Sequence, residues 1–147
     1  MMRVLFDTNV VLDVLLQREP WVREASDLWQ ANDEGRITGY MIASAVADVF
    51  YIARRLVGLE MAQQAVQTCL DAFEICPVDR GALERAKLLP GNDFEDNLQI
   101  ACATTANLEA IVTRNPDHFE AAPMPVLIPP DARALFLTPP EALHAKT

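Results

Sequence analysis

Val4-Leu5-Phe6-Asp7-Thr8-Asn9, inside the first ten residues, decides the fold. A short apolar run that ends in an acid, a hydroxyl and an amide reads as a buried strand delivering polar groups to the carboxyl edge of a sheet. In α/β proteins that edge is where ligands bind. Outward from it, strand-like and helix-like segments alternate. Residues 3–6 read as a strand and 10–16 as a short helix. Residues 21–33 carry helical spacing at Val22, Ala25, Leu28 and Trp29. Gly35 ends that helix, and 37–42 is a second strand. Residues 43–57 form an amphipathic helix, with Val46, Val49, Phe50, Ala53, Leu56 and Val57 recurring at three and four, and Gly58 as its stop. A helix over 60–72, a strand over 73–78 and a helix over 80–88 capped by Asp79 come next. Pro90-Gly91 breaks the chain. Residues 93–108 are helical, 110–113 a fourth strand, 116–119 a helical turn and 126–128 a fifth strand. Such alternation predicts a mainly parallel sheet with helices on both faces.

The chain of 147 residues fits one domain, expected over 1–137, with 138–147 as a C-terminal tail to which no chemistry is assigned. Hydrophobic residues make up 51% and charged residues 22%, a globular balance rather than a disordered one. No apolar stretch reaches transmembrane length, and the apolar run after Met1 is too short for a signal peptide, so a cytoplasmic protein with no membrane partner is expected. Cys69, Cys76 and Cys102 lack Cys-x-x-Cys spacing and read as small buried hydrophobes. His118 and His144 are the only histidines, which leaves few candidates for a histidine base.

Four acidic segments project onto the same carboxyl edge: Asp7, Ser44–Asp48, Asp93–Asp96 and Thr113–Asp117. Each has a plain structural explanation. For Asp7 it is a cap on the following helix, a job that Thr8 or Asn9 would do as well, which would leave Asp7 without a structural task. Asp48 lies beside Ser44, Tyr51 and Arg55 on its helix, away from the apolar face, and alone would pass for a solvated acid. Asn92 with Glu95 matches a capping box, which makes Glu95 structural. Asp93 serves either as a cap or as a ligand, whereas Asp96 lies past the cap. Asn115-Pro116 is a standard helix start, and Asp117 either favours that terminus or faces the site. Taken together, gathered carboxylates repel one another unless a cation sits among them. Oxygen ligands select magnesium or manganese over zinc, and such a metal acidifies water and stabilises charge on a phosphoryl oxygen. Phosphodiester hydrolysis is the chemistry implied.

These residues resemble the PIN-domain family of metal-dependent nucleases, over about residues 3–128. Asp7-Thr8-Asn9 is similar to the family's opening motif, Asp48 to its second acid, Asp96 to its third, and Thr113-Arg114-Asn115-Pro116-Asp117-His118-Phe119 to its closing motif. The resemblance implies a five-stranded parallel sheet in a three-layer α/β/α sandwich. It further implies an Mg2+- or Mn2+-dependent endoribonuclease, with Asp7, Asp48, Asp96 and Asp93 catalytic. Asn115 and Asp117 would join them around the metal, and Thr8, Asn9, Ser44 and Thr113 would support the site. Many small members are VapC-like toxins that dimerise and are blocked by a small antitoxin. Two departures stand out: Asp48 replaces the usual glutamate, one methylene longer, and Asn115 stands where many members carry aspartate.

The net charge of −9 opposes nonspecific binding to nucleic acid. Bound cations would invert the local charge, and ten of the twelve basic residues are arginine, the side chain best suited to phosphate. Arg114, Arg55 and Arg18 are the expected contacts to RNA, with ordinary salt bridges as the competing explanation. The acidity also suits a basic protein partner, docked at the cleft or in an apolar groove around Trp21 and Trp29. Two alternatives to the nuclease remain: a PIN-like interaction module with weak metal binding, and a haloacid-dehalogenase-type phosphatase. The second needs an acid two residues after Asp7, where Asn9 stands.

Overall fold

The structure, a computed structural model, describes residues 1–137. The expected tail and His144 lie outside the described residues. Five parallel strands form one sheet in the order β3-β2-β1-β4-β5. β1 (Met2–Phe6) is its centre, flanked by β2 (Ile37–Ile42) and β4 (Ala110–Val112). β3 (Glu74–Cys76) and β5 (Val126–Leu127) are the edges. Val4-Leu5-Phe6 and Ala110-Ile111-Val112 are 0–1% exposed, because central parallel strands are covered on both faces. The edge strands are shorter than the apolar pattern predicts. They pair on one side only, and flanking residues such as Phe73 pack into the core instead of extending the ladder.

The helices are α1 (Thr8–Leu15), α2 (Val22–Asp33), α3 (Ala43–Val57), α4 (Leu59–Ala72), α5 (Arg80–Lys87), α6 (Phe94–Thr105) and α7 (Pro129–Leu137). α3 and α4 form a hairpin bent at Gly58, whose φ of +94° a side chain would resist. Gly39 in β2 is required for a different reason. A Cβ there would come within 2.8 Å of the Phe73 ring. That ring packs against Phe6 and Trp29 at centroid distances of 5.1 and 4.9 Å and closes one end of the core. Asn32 ties the same corner together, accepting from Gly39 N and donating to the Ala72 carbonyl, both at 2.7 Å.

α7 has no counterpart in the sequence reading. Pro129-Pro130 looks like a chain breaker, yet proline suits the first turn of a helix, where no N–H partner is needed. α7 packs on α2 and is joined to it by Arg133–Asp27 at 2.9 Å.

The strand order explains where a site can form. The chain moves outward from β1 to β2 and β3, then returns through α5 and α6 to lay β4 on the other side of β1. Connections therefore leave β1 and β4 in opposite directions and open a crevice at their carboxyl ends. Asp7 and Thr113 occupy those ends, and Asp7 N donates to the Val112 carbonyl at 3.0 Å.

Candidate active site

Asp7 sits at the head of the crevice, 5% exposed. It occupies the cap position of α1, but its side chain makes no capping bond. Thr8 is already helical, so neither Thr8 nor Asn9 acts as the expected cap. The Asp7 carboxylate is held crosswise instead. Oδ1 accepts from Gln99 Nε2 at 2.8 Å and Oδ2 from Thr113 Oγ1 at 2.7 Å. Thr113 Oγ1 accepts in turn from Asn115 N at 3.1 Å. Gln99 escaped the sequence reading. Its only signal is a polar residue one turn after Asp96 in a helix segment that is otherwise apolar.

α6 carries most of the acids, and its start corrects one expectation. Asp93, not Asn92, is the cap, with Oδ1 accepting from Asp96 N at 3.1 Å. The Asn92–Glu95 capping box does not form. A shift of one residue rotates Glu95 by about 100° around the helix, and it turns toward α3. There Ser44 Oγ donates to Glu95 Oε1 at 3.3 Å, and Glu95 also hydrogen-bonds Asp48. Burial, helped by the Asp48 charge, pushes the Glu95 carboxyl up to about 7. Burial raises Asp48 too, opposed by its hydrogen bond with Glu95.

Asp96 faces the other way. Its Oδ2 lies 3.0 Å from His118 Nδ1. Burial first, then the charges of Asp7 and Asp93, push Asp96 up to about 6 against the opposing pull of His118. Asp93, Asp117 and His118 line a cleft of about 540 Å³ beside the helix start. Asn115 is exposed at the head of the turn Pro116–Phe119, and its side chain makes no capping bond.

Asp96 therefore feels the charges of Asp7 and Asp93, and Glu95 those of Asp48 and Asp93. They do not, however, form a ready cage. Among the described residues no three acid, histidine or cysteine side chains stand close enough to share one ion. Like charges repel, and each carboxylate turns to a protein donor: an amide and a hydroxyl for Asp7, Glu95 for Asp48, His118 for Asp96. The donor chemistry still fits a hard divalent ion. It is all oxygen, and the raised acids are those that a cation would return to the ionised form.

The arginines part company. Arg18 and Arg114 both pair with Asp13, a buried acid on α1 absent from the sequence reading. Arg55 is exposed in the last turn of α3, seven residues and roughly 10 Å along the helix from Asp48, beyond the crevice. Trp29 is in the core and Trp21 is 41% exposed, so the two do not form one open groove. The three cysteines are buried and unpaired. No helix among the described residues is long and apolar enough to cross a membrane.

A parallel sheet with acidic side chains at its switch point defines a class of α/β domains, and the comparisons narrow it. The profile of the PIN domain matches residues 3–117, so this chain belongs to the PIN-domain family. That membership sets the phosphatase alternative aside. No curated protein matches the chain. Among solved structures, it is similar to a toxin–antitoxin complex from Klebsiella pneumoniae, at 26% identity, covering 86% of this chain and 97% of that one, with a TM-score of 0.61. It is similar to DNA-bound VapBC from Salmonella typhimurium at 17% identity, over 88% and 99% of the two chains, with a TM-score of 0.66. VapC20 of Mycobacterium tuberculosis, a toxin that cleaves the sarcin–ricin loop, aligns at 14% identity over 80% and 94%, with a TM-score of 0.67. The five-stranded parallel sheet agrees with the expected fold.

Proposed function

We propose that this protein is an Mg2+- or Mn2+-dependent endoribonuclease acting in the cytoplasm as the toxin of a toxin–antitoxin pair. The observation that carries the reading is the crosswise grip on Asp7. A buried carboxylate fixed by Gln99 and Thr113 at the switch point, with Asp96 near enough to repel it, is costly for stability and suited to holding a cation. Asp7 and Asp96 would hold the ion, with Asp93, Asp48, Asn115 and Asp117 around them, partly through water. When bound, the ion supplies an acidified water and charge stabilisation at phosphorus. Thr113 and Gln99 keep the Asp7 oxygens oriented. Ser44 donates to Glu95 and holds it beside Asp48, so these two acids flank the metal-binding group.

The test is cleavage of a structured RNA with and without metal. Cleavage in Mg2+ or Mn2+ that stops in EDTA and in Asp7→Asn supports the reading. Full activity in EDTA contradicts it. One observation favours a second reading: the acids make no ready three-ligand cage. A PIN-type interaction module would show no stabilisation by either metal.

The partner reading follows from charge and kinship. A chain with net charge −9 and an acidic crevice attracts a basic segment. An arginine of an antitoxin entering the crevice would pair with Asp7 or Asp96 and compete with the metal. A homodimer is the assembly expected from the family resemblance.

A further inference from the structure

Asp13 is 0% exposed, and two guanidiniums converge on it. Arg18 Nε donates to Oδ1 at 2.8 Å, and Arg114 Nε lies 3.0 Å from Oδ2. The second contact is coulombic rather than an aligned hydrogen bond, since neither atom has a hydrogen-bond partner. The two arginines differ in what remains free. Arg18 also donates through Nη2 to the carbonyl and the side-chain oxygen of Asn9, both at 3.2 Å. Arg114 is fixed by stacking: its guanidinium carbon lies 3.9 Å from the centroid of the Trp21 ring. No protein group holds either of its terminal nitrogens among the described residues.

The arrangement is poor as a device for stability. A fully buried carboxylate gives up its hydration, and its attraction to partners seldom exceeds that cost. It is good as a device for orientation. One carboxylate pins the Nε side, one indole pins the plane, and 19% of the side chain stays exposed to a ligand. Two guanidiniums against one carboxylate leave a net positive charge. It stands about 9 Å along α1 from Asp7, beside a crevice whose other charges are mostly acidic. A planar fork of N–H donors matches the oxygens of a phosphate in two-point contact.

We infer that the outer edge of Arg114 is a binding site for an RNA phosphate flanking the scissile bond, with Asp13 and Trp21 as its positioning residues. The inference rests on the ribonuclease reading above. Arg18 closes the other side of Asp13 and keeps the carboxylate from turning away.

The test is steady-state cleavage of a fluorogenic RNA by the full chain in Mg2+ or Mn2+, at several salt concentrations. Arg114→Ala should raise KM about tenfold, leave kcat nearly unchanged, and reduce the slope of log KM against log salt by about one. Trp21→Leu should raise KM a few-fold with no change of charge. Asp13→Asn is the sharpest arm. It makes the site more positive, so charge alone would lower KM, whereas loss of positioning would raise it. A lowered or unchanged KM in Asp13→Asn overturns the inference. If that variant does not fold, Arg114→Ala and Trp21→Leu decide, and wild-type KM in both overturns it. Wild-type protein that cleaves no RNA with either metal refutes the ribonuclease reading itself and the inference with it. Wild-type cleavage with an indifferent Arg114→Ala refutes only the phosphate site.

Discussion

Raising the pH should destabilise this protein in EDTA, the reverse of ordinary acid denaturation. Glu95 has its carboxyl pushed from the usual 4.5 up to about 7, and Asp96 from 3.8 up to about 6. Both shifts are upward, so the folded chain holds protons that the unfolded chain has already released. The stabilisation from these two groups is complete below about pH 4, falls as pH rises through their folded values, and is spent near pH 8. At about 1.4 kcal/mol per tenfold change, each group has a ceiling of roughly 3 kcal/mol. The two share neighbours and are partly solvated, so about half the combined ceiling, roughly 3 kcal/mol, is the realistic loss. That corresponds to a fall in Tm of about 6–12 °C for a domain of this size. Asp13 and Asp48 are raised as well and add in the same direction. The assay is urea denaturation in EDTA from pH 4.5 to 8, repeated with saturating Mg2+ or Mn2+. Metal should restore about 3 kcal/mol at pH 8, the linkage expected near a hundred times its Kd, and little at pH 4.5. Glu95→Gln should flatten the EDTA profile and stabilise the protein at pH 8. A profile that is flat or rises between pH 4.5 and 8 would refute the argument that repulsion and burial govern these acids.

Asp7→Asn should abolish cleavage and shift stability by no more than about 1 kcal/mol. Relief of repulsion with Asp96 offsets the Thr113 hydroxyl proton left without an acceptor, and RNA gels with urea melts measure the two effects. Phe73→Ala should cost about 3–5 kcal/mol because it empties the space between Phe6, Trp29 and Gly39; a loss under 1 kcal/mol in thermal melts would count against that packing. Asp79→Ala should cost about 1 kcal/mol through its lost cap on Ala82 N and leave cleavage unchanged. Inhibition by a basic antitoxin segment should weaken as salt or metal rises, and salt-independent inhibition would point to an apolar docking mode instead.

The alternation of strands and helices, the position of Asp7 and the span of α3 were legible in the chain itself. They depend on local matters: runs of apolar residues, periods of two or 3.6, and glycine at Gly58. The paired acids were legible as candidates for the same reason, since Asp7, Asp48, Asp93 and Asp96 all fall near element ends that the alternation points to one edge. What each acid does was decided only by packing. A one-residue shift in the start of α6 moved Glu95 from an expected cap to the partner of Asp48, and no local rule separates those registers. Gln99 and Thr113 meet on Asp7 across 92 and 106 residues of chain, so their contact is a product of the strand order. Asp13 was overlooked because a single acid in a helix is ordinarily solvated. Its burial, its two arginines and the Trp21 stack exist only once β4 returns beside β1 and brings Arg114 against α1. Local sequence sets the period and the termini of elements; the juxtaposition of charges, and hence their protonation and their partners, belongs to the tertiary fold.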